Sequence, residues 1–212
     1  MIPKVTIITV CYNASKTIAN TIASVLSQDY ENLEYIVIDG KSSDKSLEII
    51  NQYQDRISQI VSEPDRGMYD ALNKGIEMAT GEIVGMLNAD DFYTDEHVVS
   101  DMVQAMSSGS GYESGYADLY YVDNRNTNKI IRKWKSGQYK REKFKQGWMP
   151  PHPTFFLRKE AYEKYGGFNL DFRSAADYEL MLRMLYKHQL KAAYLPRTIV
   201  KMRLGGMSNA SL

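Results

Sequence analysis

The first 95 residues alternate short, almost continuously apolar runs with segments whose apolar residues recur every three or four positions, and few folds accept that alternation. "KVTIITVCYN" (4–13) is β-branched and apolar on both faces, as a strand covered from above and below must be. "KTIANTIASVLSQ" (16–28) spaces Ile18, Ile22, Val25 and Leu26 at helical intervals, with Ser15 as its expected N-cap. The pattern repeats through a strand at 33–40, a helix at 42–53, a strand at 57–62, a helix at 67–79 and a strand at 82–88. Strand–helix alternation of this kind calls for a parallel sheet joined by right-handed crossovers. Ligands of such sheets sit outside the carboxyl ends of the strands, near a switch in strand order.

Polar residues cluster at those ends: Thr9, Tyr12 and Asn13, then Asp39, then Glu63, Asp65 and Arg66, then Asn88, Asp90 and Asp91. Four such clusters in succession favour a site along one edge. The acidic pair Asp90–Asp91 has three meanings by residue type alone: a helix cap, a proton-transfer pair, or ligands of a hard divalent cation. Asp95 is better placed to cap the helix expected at 95–106, and Mg²⁺ or Mn²⁺ takes one or two carboxylates together with substrate phosphates. His97, His152 and His188 are scattered, and with one cysteine they do not suggest a zinc site.

Beyond residue 95 the pattern loosens. Segments 117–123 and 129–134 are expected to pair as strands, 154–158 is a further strand, "KEAYEKYGG" (159–167) a short helix closed by glycine, and "AADYELMLRMLYK" (175–187) an amphipathic helix. With 212 residues and no long linker, the chain reads as one domain of two functional halves, 1–95 for a donor and 96–212 for an acceptor and a base. Charge is divided the same way. Residues 1–124 carry 7 basic and 20 acidic side chains, a net −13, and residues 125–212 carry the compensating +13. Nine Lys/Arg against one Glu fall in 125–148, which suggests a wall that meets anions, phosphate or a membrane surface, with 129–148 as a peripheral membrane contact. That run has no recognised nucleic-acid reading motif, so nucleic acid is not expected as a partner. The single Cys11 excludes an intrachain disulfide framework, no apolar run reaches the ~20 residues of a membrane span, and the N-terminus lacks a signal-peptide pattern, so a cytoplasmic setting is expected, with the inner membrane face as the surface such a contact would use. A dinucleotide-dependent oxidoreductase would need a glycine-rich turn after the first strand, where "TVCYNASKT" has none.

Taken together, "VTIITVCYNASKTIANTIASVLSQ", "YIVIDGKSSDKSLEII", "DRGMYDALNKGIEMATGEIVGMLNADDF", "FRSAADYELMLRM" and "MRLGGMSN" resemble, in order and spacing, the family 2 glycosyltransferases, and most closely the bacterial transferases of surface-polysaccharide and O-antigen assembly. The resemblance implies a GT-A fold, an α/β architecture with a Rossmann-like, mainly parallel central sheet flanked by helices. It also implies inverting transfer of a sugar from a nucleotide-diphosphate sugar, UDP by default, to a hydroxyl of a glycan or lipid-linked acceptor. Its implied donor contacts are Thr9, Tyr12, Asn13, Asp39, Arg66, Asn88 and Asp90, with a Mn²⁺ or Mg²⁺ ion on Asp91 and Asp90, Asp91 being the direct ligand. Asp177 in "SAADYEL" is the implied catalytic base, and His152 and Trp148 are candidate acceptor or phosphate contacts. Two departures stand out: Asn88 where many relatives carry aspartate, and Ala176 where an acidic residue often precedes the base. "GGMS" (205–208) is a candidate flap over the donor. A non-catalytic sugar- or nucleotide-binding module of the same fold is the alternative.

Overall fold

The structure is a computed structural model that describes residues 2–109 and 111–205. Its first half follows from period-two patterning. In β1 (Val5–Cys11) and β2 (Leu33–Asp39), alternate residues enter two separate cores. Val5, Ile7, Tyr35 and Val37 face one, and Ile8, Val10, Ile36 and Ile38 face the other. Helices α1 (Ile18–Leu26) and α2 (Ser46–Asn51) cover the first face, and α3 (Met68–Met78) covers the second. β3 (Gln59–Ser62) and β4 (Ile83–Met86) complete a parallel set in the order β3-β2-β1-β4. Gly85 lets β4 approach the strand that carries Phe156, since a Cβ there would stand 2.6 Å from the Phe156 ring.

The second half makes the sheet mixed. β4 is followed in the chain by the short β5 (Phe92–Tyr93) and α4 (Val98–Ser107), then β6 (Ser114–Val122), β7 (Ile130–Trp134) and β8 (Phe156–Arg158). α5 (Lys159–Tyr165) ends at Gly166, whose φ of 86° lies in the left-handed region that glycine accommodates. α6 (Ala176–Met181) runs on as a π-type turn over Leu182–Lys187, and β9 (Ala192–Arg203) returns along β6. The strand path is β3-β2-β1-β4-β8-β6-β9-β5, with β7 on the free part of β6 and with β4–β8, β6–β8, β6–β7 and β5–β9 antiparallel.

The expected strand pair at 117–123 and 129–134 forms as β6 and β7. β9 was not expected, because Pro196 and three basic residues break its alternation; the sheet absorbs them by skipping pairing between Leu195 and Thr198. Ser15 does not cap α1. Thr17 holds that position, and the Ser15 N–H donates to Asp44 instead. Asp95 receives the His97 N–H at the start of α4 and binds Arg197 through both oxygens at 2.6 and 2.7 Å.

Candidate active site

At the ends of β1 and β2 the chain makes two interlocked loops. Asn13, at φ 50°, accepts the N–H groups of Ser43 and Asp44 on its Oδ1, and its own N–H donates to Ser42 Oγ. Tyr12 beside it is 68% exposed, an aromatic ring presented to solvent at a strand end. Two expected donor contacts lie under this surface. Thr9 has the parity of Ile7 and Cys11, so it points into the core, where its Oγ accepts the Tyr35 hydroxyl at 3.0 Å. Asp39 is wholly buried: Ser42 Oγ donates to one oxygen at 2.5 Å, and Ser42 N–H and Ser62 Oγ donate to the other. Neither offers surface to a ligand; Asp39 shapes the β2–α2 loop instead.

The turn Asn88–Asp91 follows β4 and is closed by the Asp91 N–H donating to the Asn88 carbonyl at 3.0 Å. It is clamped from two sides. Thr21 Oγ of α1 donates to the carbonyls of Ala89 and Asp91, and Arg203 of β9 donates to the Asp90 carbonyl and to Asn20. Asp90 keeps part of its surface, whereas Asp91 has none. Of the two carboxylates expected to hold a metal, Asp90 is the one with surface in this ligand-free arrangement and Asp91 lies beneath it. Among the described residues Asp91 Oδ1 has no hydrogen-bond partner, and its Oδ2 receives a long 3.5 Å contact from Asn88. Burial, then the neighbouring Asp90, hold the Asp91 carboxyl well above the usual carboxylate range. Burial raises Asp90 as well, against the opposing charge of Arg203. An orphaned buried oxygen beside a second carboxylate is a donor set that suits a divalent cation completed by phosphate oxygens. No cluster of three His, Cys, Asp or Glu occurs among the described residues, so the protein alone does not form a full cage.

Asp177 opens α6. Its Oδ1 accepts the Tyr69 hydroxyl of α3 at 3.1 Å and the Tyr178 N–H at 2.9 Å, and among the described residues no donor meets Oδ2. Phe168 stacks on Tyr69 with ring centroids 5.3 Å apart and meets His152 edge-on at 5.6 Å. Asn73 holds this Phe168 segment by a two-way amide exchange with its backbone. His152 is 7% exposed and its Nε2 has no partner; burial pulls its pKa down, against the charge of Asp177, so the ring is neutral at neutral pH. Trp148 is not a free platform. Its Nε1 donates to Ser136 O, and its ring packs among Tyr116, Tyr139 and Phe144. Arg66 is exposed, pairs with Asp70 at 3.0 Å, and with Tyr69, Phe172 and Arg173 lines a cleft of about 460 Å³ beside α6. Tyr69, Arg173 and Arg203 were not singled out from the sequence.

The profile of Glycosyl transferase family 2 matches residues 6–166. The chain belongs to this family. An uncharacterised glycosyltransferase of Mycobacterium tuberculosis is 34% identical over 190 residues, which is 85% of this chain and 68% of that relative. The fold matches Staphylococcus aureus TarS residues 1–349 in complex with UDP-GlcNAc, with a TM-score of 0.80 at 18% identity over 99% of this chain. It also matches the mannosyltransferase PcManGT of Pyrobaculum calidifontis in complex with GDP-Man and Mn²⁺, with a TM-score of 0.74 at 20% identity over 97% of this chain. The chain spans 61% and 58% of those two solved chains. The family 2 glycosyltransferase fold thus has the expected GT-A architecture, with its sheet parallel in the first half and mixed overall. The family's Gly-Gly element and the flap reading of 205–208 extend past Gly205, outside the described residues.

Proposed function

We propose that this glycosyltransferase moves a sugar with inversion from a nucleotide-diphosphate sugar to a hydroxyl of a glycan or lipid-linked acceptor. The observation that carries the reading is Asp177, fixed by Tyr69 through one oxygen with the other left without a donor. A hydroxyl approaching Oδ2 would lose its proton there as its oxygen bonds to the anomeric carbon and the nucleotide diphosphate leaves from the opposite face. His152, neutral and unpartnered, lies close enough to Asp177 for their charges to interact and offers the acceptor a hydrogen-bonding ring nitrogen.

On the donor side, exposed Tyr12 and Asn13 suit the nucleoside, and Asn88 and Asp90 suit the diphosphate and sugar. Arg66 and Arg173, on the rim of the 460 Å³ cleft, supply positive charge near the base. A Mn²⁺ or Mg²⁺ ion would be held by Asp90 with Asp91, and when bound it would supply the charge that neutralises the leaving diphosphate. The complexes of TarS with UDP-GlcNAc and of PcManGT with GDP-Man and Mn²⁺ support a nucleotide-sugar donor and a divalent ion, with UDP as the first nucleotide to try. A peripheral membrane contact is supported at the start of 129–148, where Ile130 and Ile131 of edge strand β7 are 40% and 45% exposed beside Lys129 and Arg132. Among the described residues no helix is long and apolar enough to cross a membrane.

Asp177→Asn tests the assignment. Turnover is expected to fall by about 10²–10⁴-fold while donor affinity, read by calorimetry, stays as in the parent protein. Lost donor affinity with normal turnover at saturation would assign Asp177 to binding instead.

A further inference from the structure

A second concave site is lined by none of the residues given a donor or base role. It is a cleft of about 590 Å³ where β5, β6, β7 and β9 come together. The sheet register builds one wall: Tyr120 of β6 stands between Lys133 of β7 and Lys201 of β9, and Lys201 stands opposite Phe92 of β5. The result is a cross-strand ladder that alternates cation and ring, with Lys133 Nζ 5.4 Å from the Tyr120 ring and Lys201 Nζ 5.7 Å from the Phe92 ring. Lys135 and Trp134 continue the lining.

The charges in this cleft are unbalanced. Lys133, Lys135 and Lys201 form no ion pair among the described residues. Of the two acids that line it, Asp95 is paired with Arg197, and Asp118 keeps its charge while its Oδ1 accepts the Ser136 N–H and the Tyr194 hydroxyl at 2.8 and 2.9 Å, so the lysines leave the lining net positive. Three ammonium groups outside any ion pair ask for an anion, and the Tyr120 ring between Lys133 and Lys201 asks for a ligand with an apolar face. Thr94 and Thr198 add hydroxyls. A saccharide bearing carboxylate or phosphate groups has all three properties, whereas a planar bilayer cannot follow a concave wall. Lys201 and Arg203 also lie over the same Phe92 ring, at 5.7 and 4.6 Å, and Arg203 bonds the Asp90 carbonyl, so the wall runs on to the acidic turn.

We infer that this cleft is a binding site for an anionic saccharide. The site would engage a charged glycan segment outside the reacting centre, and its occupancy does not depend on the transfer reaction.

Binding is measured by calorimetry at low salt, without donor or metal, so the result is independent of the transferase reading. The probes are a uronate-bearing disaccharide, its neutral methyl ester, inorganic phosphate, and vesicles of phosphatidylglycerol. The disaccharide acid is expected to bind and its ester to bind about tenfold more weakly, with K133S/K201S losing about tenfold for the acid. The melting temperature and far-UV circular dichroism of the double variant serve as the folding control and stay as in the parent. Equal binding of acid and ester, or an unchanged affinity in K133S/K201S, overturns the inference. Binding of phosphate but no disaccharide, or of vesicles alone with loss in the double variant, overturns it in favour of a free-anion or a lipid-surface site.

Discussion

A buried carboxylate with one oxygen lacking any donor costs stability, and Asp91 is such a group. Its folded pKa lies above the ordinary value of 3.8, so folding favours its protonated form. The sign follows from linkage: as pH rises from the unfolded value through the raised folded one, Asp91 increasingly opposes folding. Asp91→Asn is therefore expected to raise the melting temperature of the metal-free protein by about 2–4 °C at neutral pH, a gain that shrinks as pH falls toward 4. A variant less stable than its parent at pH 7 would mean that Arg203 already neutralises the site. The acidic turn itself was legible from residue type and spacing. The burial of Thr9 follows from parity, for Thr9 alternates with Ile7 and Cys11 and so faces the core, which its polarity alone does not show. Asp39 could not be read in advance, because Ser42 and Ser62, which consume its lone pairs, come together only in the folded loops.

Elements carry these residues into place. β1, β2, β4 and the helices between them were legible because both faces of each strand are buried and the period is unambiguous. β9 was not, although it delivers Arg203 to the acidic turn, because a proline-bearing strand with interspersed lysine and arginine has no clean period. Glu34 shows how one buried acid fastens elements together. It accepts Thr6 of β1, Thr80 of the loop before β4 on both its N–H and hydroxyl, and Lys4. Burial alone would raise its pKa, but these donors outweigh it and bring the carboxyl from 4.5 down to about 2. Its stabilisation is present above pH 4.5 and is lost as pH falls toward 2. Glu34→Gln should thus melt well below the parent at pH 7, with the gap closing between pH 4.5 and about 2. A gap that stays constant with pH would show that shape, and not charge, is what the site needs.

At the scale of the molecule, the acidic first half carries the strand-end edge proposed for the donor, and the basic second half is partly consumed internally. Arg141 bonds Tyr186 O, and Lys143 bonds Gln138 O and lies over Trp148. The excess of charge in 125–148 was legible, but its division between internal contacts and an open cleft depends on pairing across β6, β7 and β9, which composition does not encode. The central claim is that the strand-end edge holds a nucleotide-diphosphate sugar together with a divalent ion. Its most direct test is the melting temperature measured across a panel of UDP-, GDP- and dTDP-sugars, with and without Mn²⁺. At about 100 times the dissociation constant a bound donor contributes about 2.7 kcal/mol, so one nucleotide class with Mn²⁺ should raise the transition by about 5 °C or more. Asp90→Ala should abolish that rise. A panel with no stabilisation by any donor in the presence of Mn²⁺ would contradict the account.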